Sequence, residues 1–188
     1  MKWILLAASF LLALPLVAVQ DVQEKAGVKP GLCARYFNVA KEIKKFPETV
    51  EGQKAQLCRV DAQINFNPKE GEGFRDLPWK EFFAVVWTGV LRVPKDGTCT
   101  LYLKSDDGAK LFLDGKMVID NDGTHRMDLE SKKLDLKAGD HDFKIEYFQN
   151  KDKAGCILSW KFEGSDKEVV PASAFWHPYD KELDREAK

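Results

Sequence analysis

Apolar and polar residues alternate with a period of two through much of the second half of this chain. In 141–148, Phe143, Ile145 and Tyr147 alternate with Asp142, Lys144 and Glu146, the pattern of a strand with one buried face. In 156–162, Cys156, Leu158, Trp160 and Phe162 alternate with Ile157, Ser159 and Lys161. Phe82 to Val93 is apolar on both faces, which predicts a central strand covered on each side. Leu134 and Leu136 mark another strand. Between these segments lie Asp96-Gly97, Asp107-Gly108, Asp114-Gly115 and Asp122-Gly123, with Gly139 beside Asp140 as a further turn signal. Asp-Gly tolerates the positive φ angles that tight hairpins demand. Short strands at such close spacing predict a single all-β domain, an antiparallel β-sandwich, over 31–179. Trp87 and Trp160 fall on its core faces, and Trp79 and Trp176 near its end. Val39 to Phe46 is expected to form one or two helical turns before Pro47. The charged tail 180–188 is expected to fray as a helix from Leu183.

The start of the chain changes the compartment. Lys2 precedes an apolar run from Trp3 to Val19, so residues 1–20 read as a secretory signal peptide, cleaved after Ala18 or near Gln20. A membrane span needs about 20 apolar residues, and no basic stop-transfer cluster follows, so no span is expected beyond the signal segment. Residues 21–30 read as an exposed leader. The expected location is secreted, periplasmic or cell-surface. Lys+Arg total 29 against Asp+Glu 30 in 188 residues, a net charge of −1, and that balance excludes the basic footprint of a nucleic-acid binder.

Cys33, Cys58, Cys99 and Cys156 make an even number of cysteines in an exported chain, which favours disulfides. The expected pairs are Cys33–Cys58 and Cys99–Cys156. The alternative is four buried thiols acting as small hydrophobes. None of the spacings matches a zinc site.

The most informative chemistry is Asp106-Asp107, held between the apolar runs Tyr102–Leu103 and Leu111–Leu113. Adjacent residues on a regular strand point to opposite faces, so both carboxylates reach one ion only if the backbone turns there. A hard cation such as calcium would explain concentrating negative charge at that point. The plainer alternative makes Asp107-Gly108 a hairpin turn and Asp106 its solvated neighbour.

At this point a run of landmarks, in order, resembles a known family. Gly31-Leu32-Cys33-Ala34-Arg35-Tyr36-Phe37 and Asp61-Ala62-Gln63-Ile64-Asn65-Phe66 come first, then Val86-Trp87-Thr88-Gly89-Val90-Leu91 and Ser105-Asp106-Asp107-Gly108. Leu111-Phe112-Leu113-Asp114-Gly115, Val118-Ile119-Asp120-Asn121, Leu136-Lys137-Ala138-Gly139, Ile145-Glu146-Tyr147-Phe148 and Leu158-Ser159-Trp160 complete the set. They are similar to the protective-antigen-type (PA fourteen) domain. That resemblance implies a twisted β-sandwich and, in lectin-like members, paired aspartates that bind calcium across a cis peptide while the ion takes sugar hydroxyls. Carried over, Asp106 and Asp107 would be metal ligands, and Gln149 or Asn150 would supply an amide oxygen from the loop after Phe148. Lys151 or Lys153 would add a carbonyl and, with His125, border the ligand. Asp122 stands where many relatives carry an aromatic residue.

His125, His141 and His177 show no metal-ligand spacing, and no Gly-x-Ser-x-Gly elbow or complete nucleotide fingerprint occurs, so the chain is read as non-catalytic. The expected function is an exported calcium-dependent carbohydrate-binding module recognising a glycan or polysaccharide. The alternative is a structural or protein-interaction domain of the cell envelope with envelope proteins as partners and no sugar site.

Overall fold

The computed structural model describes residues 27–39, 42–68, 74, 76–180 and 183. The expected signal segment and residues 21–26 lie outside them. The described chain forms two antiparallel sheets packed face to face. The larger sheet runs β1 (Val28–Pro30), β13 (Phe175–Pro178), β5 (Phe83–Val93), β10 (Gly139–Gln149), β7 (Ala109–Leu113) and β8 (Lys116–Asn121). β2 (Leu32–Asn38) lies along the first half of β5 and carries β3 (Leu57–Asp61) on its other edge. The smaller sheet runs β12 (Glu168–Val169), β11 (Gly155–Phe162), β6 (Gly97–Asp106) and β9 (Asp128–Leu136), with β4 (Asn65–Phe66) paired to β11.

The period-two segments occupy the places their pattern predicts. Phe143, Ile145 and Tyr147 of β10 and Cys156, Leu158, Trp160 and Phe162 of β11 are buried between the sheets. β5 is apolar on both faces for two separate reasons. Phe83, Val85, Trp87, Leu91 and Val93 enter the main core. Ala84 and Val86 sit beneath Phe46 and Val50 of the β2–β3 connection, in a second cluster with Phe37 and Phe148. Trp87 is fully buried, packed among Phe66, Phe74 and Tyr147 with ring centroids 5.4–6.2 Å away. Trp160 is core as well, while Trp79 is half-buried and Trp176 packs under the Arg92 guanidinium. Asp114-Gly115 makes the β7–β8 hairpin with φ of 50° and 74°, as a tight primed turn requires.

Several expectations are corrected. The four cysteines, all among the described residues, form no disulfide. Cys156 lies opposite Ser105 and Cys99 opposite Phe162, six positions apart along β6, or about 20 Å, far beyond bridging distance. Cys33 lies opposite Val60 and Cys58 opposite Arg35, which makes the two thiols diagonal neighbours. That diagonal is about 7–8 Å, longer than a disulfide ordinarily spans. Val28–Pro30, assigned to an exposed leader, is a strand because its backbone pairs with 176–178 of β13. Residues 42–46 are irregular, not helical, and the turn that follows is a short 3₁₀ segment at Glu48–Val50. Within the tail Leu183 is buried, and residues 184–188 lie outside the described residues.

Candidate functional site

β6 belongs to the smaller sheet and β7 to the larger, so Asp106-Asp107-Gly108 is the corner where the chain crosses between layers. It is not a hairpin, because hairpin strands share a sheet. The Asp106–Asp107 peptide is cis. Gly108 is needed here for space: a Cβ would lie 2.5 Å from the Phe148 ring and 2.6 Å from the Gly123 backbone nitrogen. Three segments therefore meet at this end of the sandwich: the corner, the β8–β9 loop (122–127) and the β10–β11 loop (150–154).

Both carboxylates are buried, with exposures of 9% for Asp106 and 4% for Asp107. Asp107 is held by two backbone donors. The His125 N–H reaches one oxygen at 3.2 Å, and the Asn150 N–H reaches the other at 2.7 Å. Asp106 accepts a backbone N–H from Met127. Burial first, then the Asp107 charge, push the Asp106 carboxyl up to about 6. Burial raises Asp107 as well, against the pull of those two N–H groups. Asp152 adds negative charge toward both. Among the described residues no lysine or arginine forms an ion pair with either. The His125 charge pulls both down, but among the described residues no lysine or arginine answers the pair, and two desolvated like charges suit a divalent ion, whose attraction would offset the burial of both.

The flanking amides are used differently from the expectation. Gln149 is fully buried, its Oε1 facing the Asp107 N–H at 3.2 Å and the Tyr147 hydroxyl at 3.0 Å, while its Nε2 donates to the Lys151 carbonyl. Asn150 turns toward the β2–β3 connection. Its Oδ1 accepts the Ile43 N–H at 2.9 Å, and its Nδ2 donates to the Ile43 carbonyl at 2.6 Å. Asp122 does the same work from the other loop: one oxygen accepts the Phe46 N–H at 2.9 Å, and the other pairs with Lys110 at 2.9 Å. Asn150 and Asp122 thus clamp the 42–50 segment against the site end. An isolated Asn or Asp in a loop gives no sequence signal for that role, because its partner is over 70 residues away.

The other named residues line the rim. The His125 ring is fixed by the Asn121 and Arg126 carbonyls, at 3.0 and 2.8 Å, beside the corner that its own N–H caps. The Lys151 ammonium reaches Glu42 at 3.7 Å and lies over the Phe82 ring. Lys153 is exposed. Asp152, with φ of 66°, is the acidic neighbour that sequence reasoning passed over, and the loop Gln149–Gly155 was its only signal. Among the described residues no third His, Cys, Asp or Glu closes into a ligating cluster with the pair. The further oxygens for an ion would be backbone carbonyls and water.

Comparison with known proteins identifies the family and the fold. The family model described as the PA14 domain matches residues 29–174. A curated relative, the anti-sigma-I factor RsgI3 of Acetivibrio thermocellus, is 29% identical over 151 residues, 80% of this chain and 22% of its own length. A solved anti-sigma factor domain-containing protein is 28% identical with a TM-score of 0.65, over 81% of this chain and 50% of that one. This chain therefore spans half or less of those relatives. The PA14 sugar-binding domain from an RTX adhesin has a TM-score of 0.65 at 16% identity, over 79% of this chain and 98% of that one, a likeness of fold.

Proposed function

This chain belongs to the PA14 domain family, and from that premise we propose that it is a non-catalytic, calcium-dependent carbohydrate-binding module acting through Asp106 and Asp107. The observation that supports this reading is the pair of adjacent buried carboxylates, both raised despite the His125 charge and neither in an ion pair with a lysine or arginine among the described residues. The fold this chain shares with the PA14 sugar-binding domain from an RTX adhesin supports the same reading. Asp106 and Asp107 would hold the ion. When bound, calcium supplies a positive centre with positions open to sugar hydroxyl oxygens. The chain's own part is to keep both carboxylates fixed. The His125, Met127 and Asn150 N–H groups orient them, and the 42–50 segment, clamped by Asn150 and Asp122, buttresses the loops that donate those bonds. His125, Lys151 and Lys153 would border the glycan. A shallow polar site of this kind binds weakly and gains from repetition.

Calorimetric titration of the full chain with calcium, followed by glycan-array binding in calcium and in EDTA, tests the proposal. Saturable calcium heat and EDTA-sensitive glycan binding, both lost in Asp106→Asn/Asp107→Asn, are expected. Absence of calcium heat in the unmodified chain overturns it.

One observation favours a second reading. The amide oxygens of Gln149 and Asn150 are engaged inside the protein, as suits a structural or protein-interaction domain of the envelope. Pull-down from an envelope extract that recovers a protein partner equally well in EDTA would support it.

A further inference from the structure

The outer face of the smaller sheet gathers exposed lysines about β6. Strand register brings Lys161 of β11, Thr100 of β6 and Lys133 of β9 into one row, with side chains alternating outward from buried Cys99, Leu101 and Leu103. Two residues nearer the corner, Tyr102 lies between Ser159 and Ser131, with the Lys167 ammonium 4.0 Å above its ring. Two residues further, Lys104 lies between Ile157 and Leu129. Lys104, Lys133, Lys161 and Lys167 are all exposed, and among the described residues none of the four forms an ion pair. Along this face acidic residues stand beyond the lysines at both ends, Asp135 (bonded to Thr98) and Glu163 at one and the buried Asp106 at the other.

We infer that this face is a second binding surface, one that takes an anionic polysaccharide chain laid along β6. Four exposed ammonium groups on either side of and along β6, one of them stacked on Tyr102, suit a polyanion that offers charges on successive monomers. The face lacks the large aromatic anchors that a protein partner would bury; its apolar residues are Ile157, Val169 and Leu129, the last at 43% exposure. With a net charge of −1, the whole chain is not the basic molecule that a nucleic acid would select. The lysine nearest the corner, Lys104, lies about 7 Å along the strand from Asp106. The surface stands on lysines alone and needs no calcium.

Affinity electrophoresis of the full chain through polygalacturonate in excess EDTA tests this, with the fully methyl-esterified polymer as the uncharged control. Retardation by polygalacturonate and none by its ester is expected, weakening steeply as salt screens the charges. Lys104→Gln/Lys133→Gln/Lys161→Gln should lower the affinity by roughly tenfold or more with an unchanged melting temperature. Asp106→Asn/Asp107→Asn should bind as the unmodified chain does, which separates this surface from the calcium site. Absence of retardation, equal retardation by the ester, or full binding by the triple variant overturns the proposal. Tighter binding to phosphatidylglycerol vesicles or to poly-L-glutamate than to polygalacturonate overturns the polysaccharide as occupant.

Discussion

Asp61 and the Asp106–Asp107 corner are two places where this protein buries carboxylate, and they are finished in opposite ways. Asp61 ends β3 beneath the sheet. It accepts the Tyr36 hydroxyl, the Trp87 indole N–H at 2.7 Å and the Arg59 Nε at 2.7 Å. Arg59 brings the opposite charge, and Arg59 also donates to Tyr36 at 3.0 Å. Burial, then the Asp61 charge, push the Tyr36 hydroxyl far up, so it stays a donor. Every part of that carboxylate is answered from within the chain. At the corner the donors are backbone N–H groups, and among the described residues no lysine or arginine pairs with the two charges; the His125 charge alone opposes burial, and both carboxyls stay raised. A compensated buried acid reads as structure, whereas an uncompensated pair reads as a place left for something from outside.

That contrast can be broken most directly at Asp61. Asp61→Ala leaves Arg59 and two aromatic donors without their acceptor, and breaking such a buried pair costs about 3–5 kcal/mol, read by urea unfolding. A loss below about 1 kcal/mol would make Asp61 no different from a surface acid. The next effect is calcium itself. At about 100 times its dissociation constant calcium should stabilise the chain by roughly 2.7 kcal/mol, seen as a shift in thermal melting. Asp106→Asn/Asp107→Asn should lose that shift, yet without calcium it should stay within about 1 kcal/mol of the unmodified chain, because relief of like-charge repulsion offsets weakened hydrogen bonds. Asn150→Ala removes both bonds to Ile43 and should cost about 1–3 kcal/mol. Hydrogen exchange would register it as faster opening of 42–50 than of β5.

The smallest effect lies at the opposite end of the sandwich, where His141 meets Asp114 at 2.8 Å. Burial draws the imidazole down, but the Asp114 and Lys137 hydrogen bonds and the Asp114 and Asp140 charges outweigh it, and the net shift is upward. Its contribution is therefore complete below the unfolded value of about 6.5 and disappears as pH rises through the higher folded value. His141→Gln should cost under ~1 kcal/mol in acid and nothing in base. A loss that grows with pH would reverse the sign and remove the ion pair from the account.

The all-β class, the strand positions of β5, β10 and β11, the hairpin at Asp114-Gly115 and a change of chain direction at Asp106-Asp107 were all legible in the residues. Each rests on local information, whether side-chain alternation or the φ angles a turn demands. Partnership across distance belongs to the tertiary structure. Strand register separated Cys99 from Cys156, and sheet assignment turned Asp107-Gly108 from a hairpin into the corner between layers. Packing sent the Asn150 amide to Ile43, and strand pairing gathered outward lysines from three strands onto one face. A side chain's chemistry is written in its own residue. What it faces depends on strand pairing between segments tens of residues apart, which no local pattern encodes.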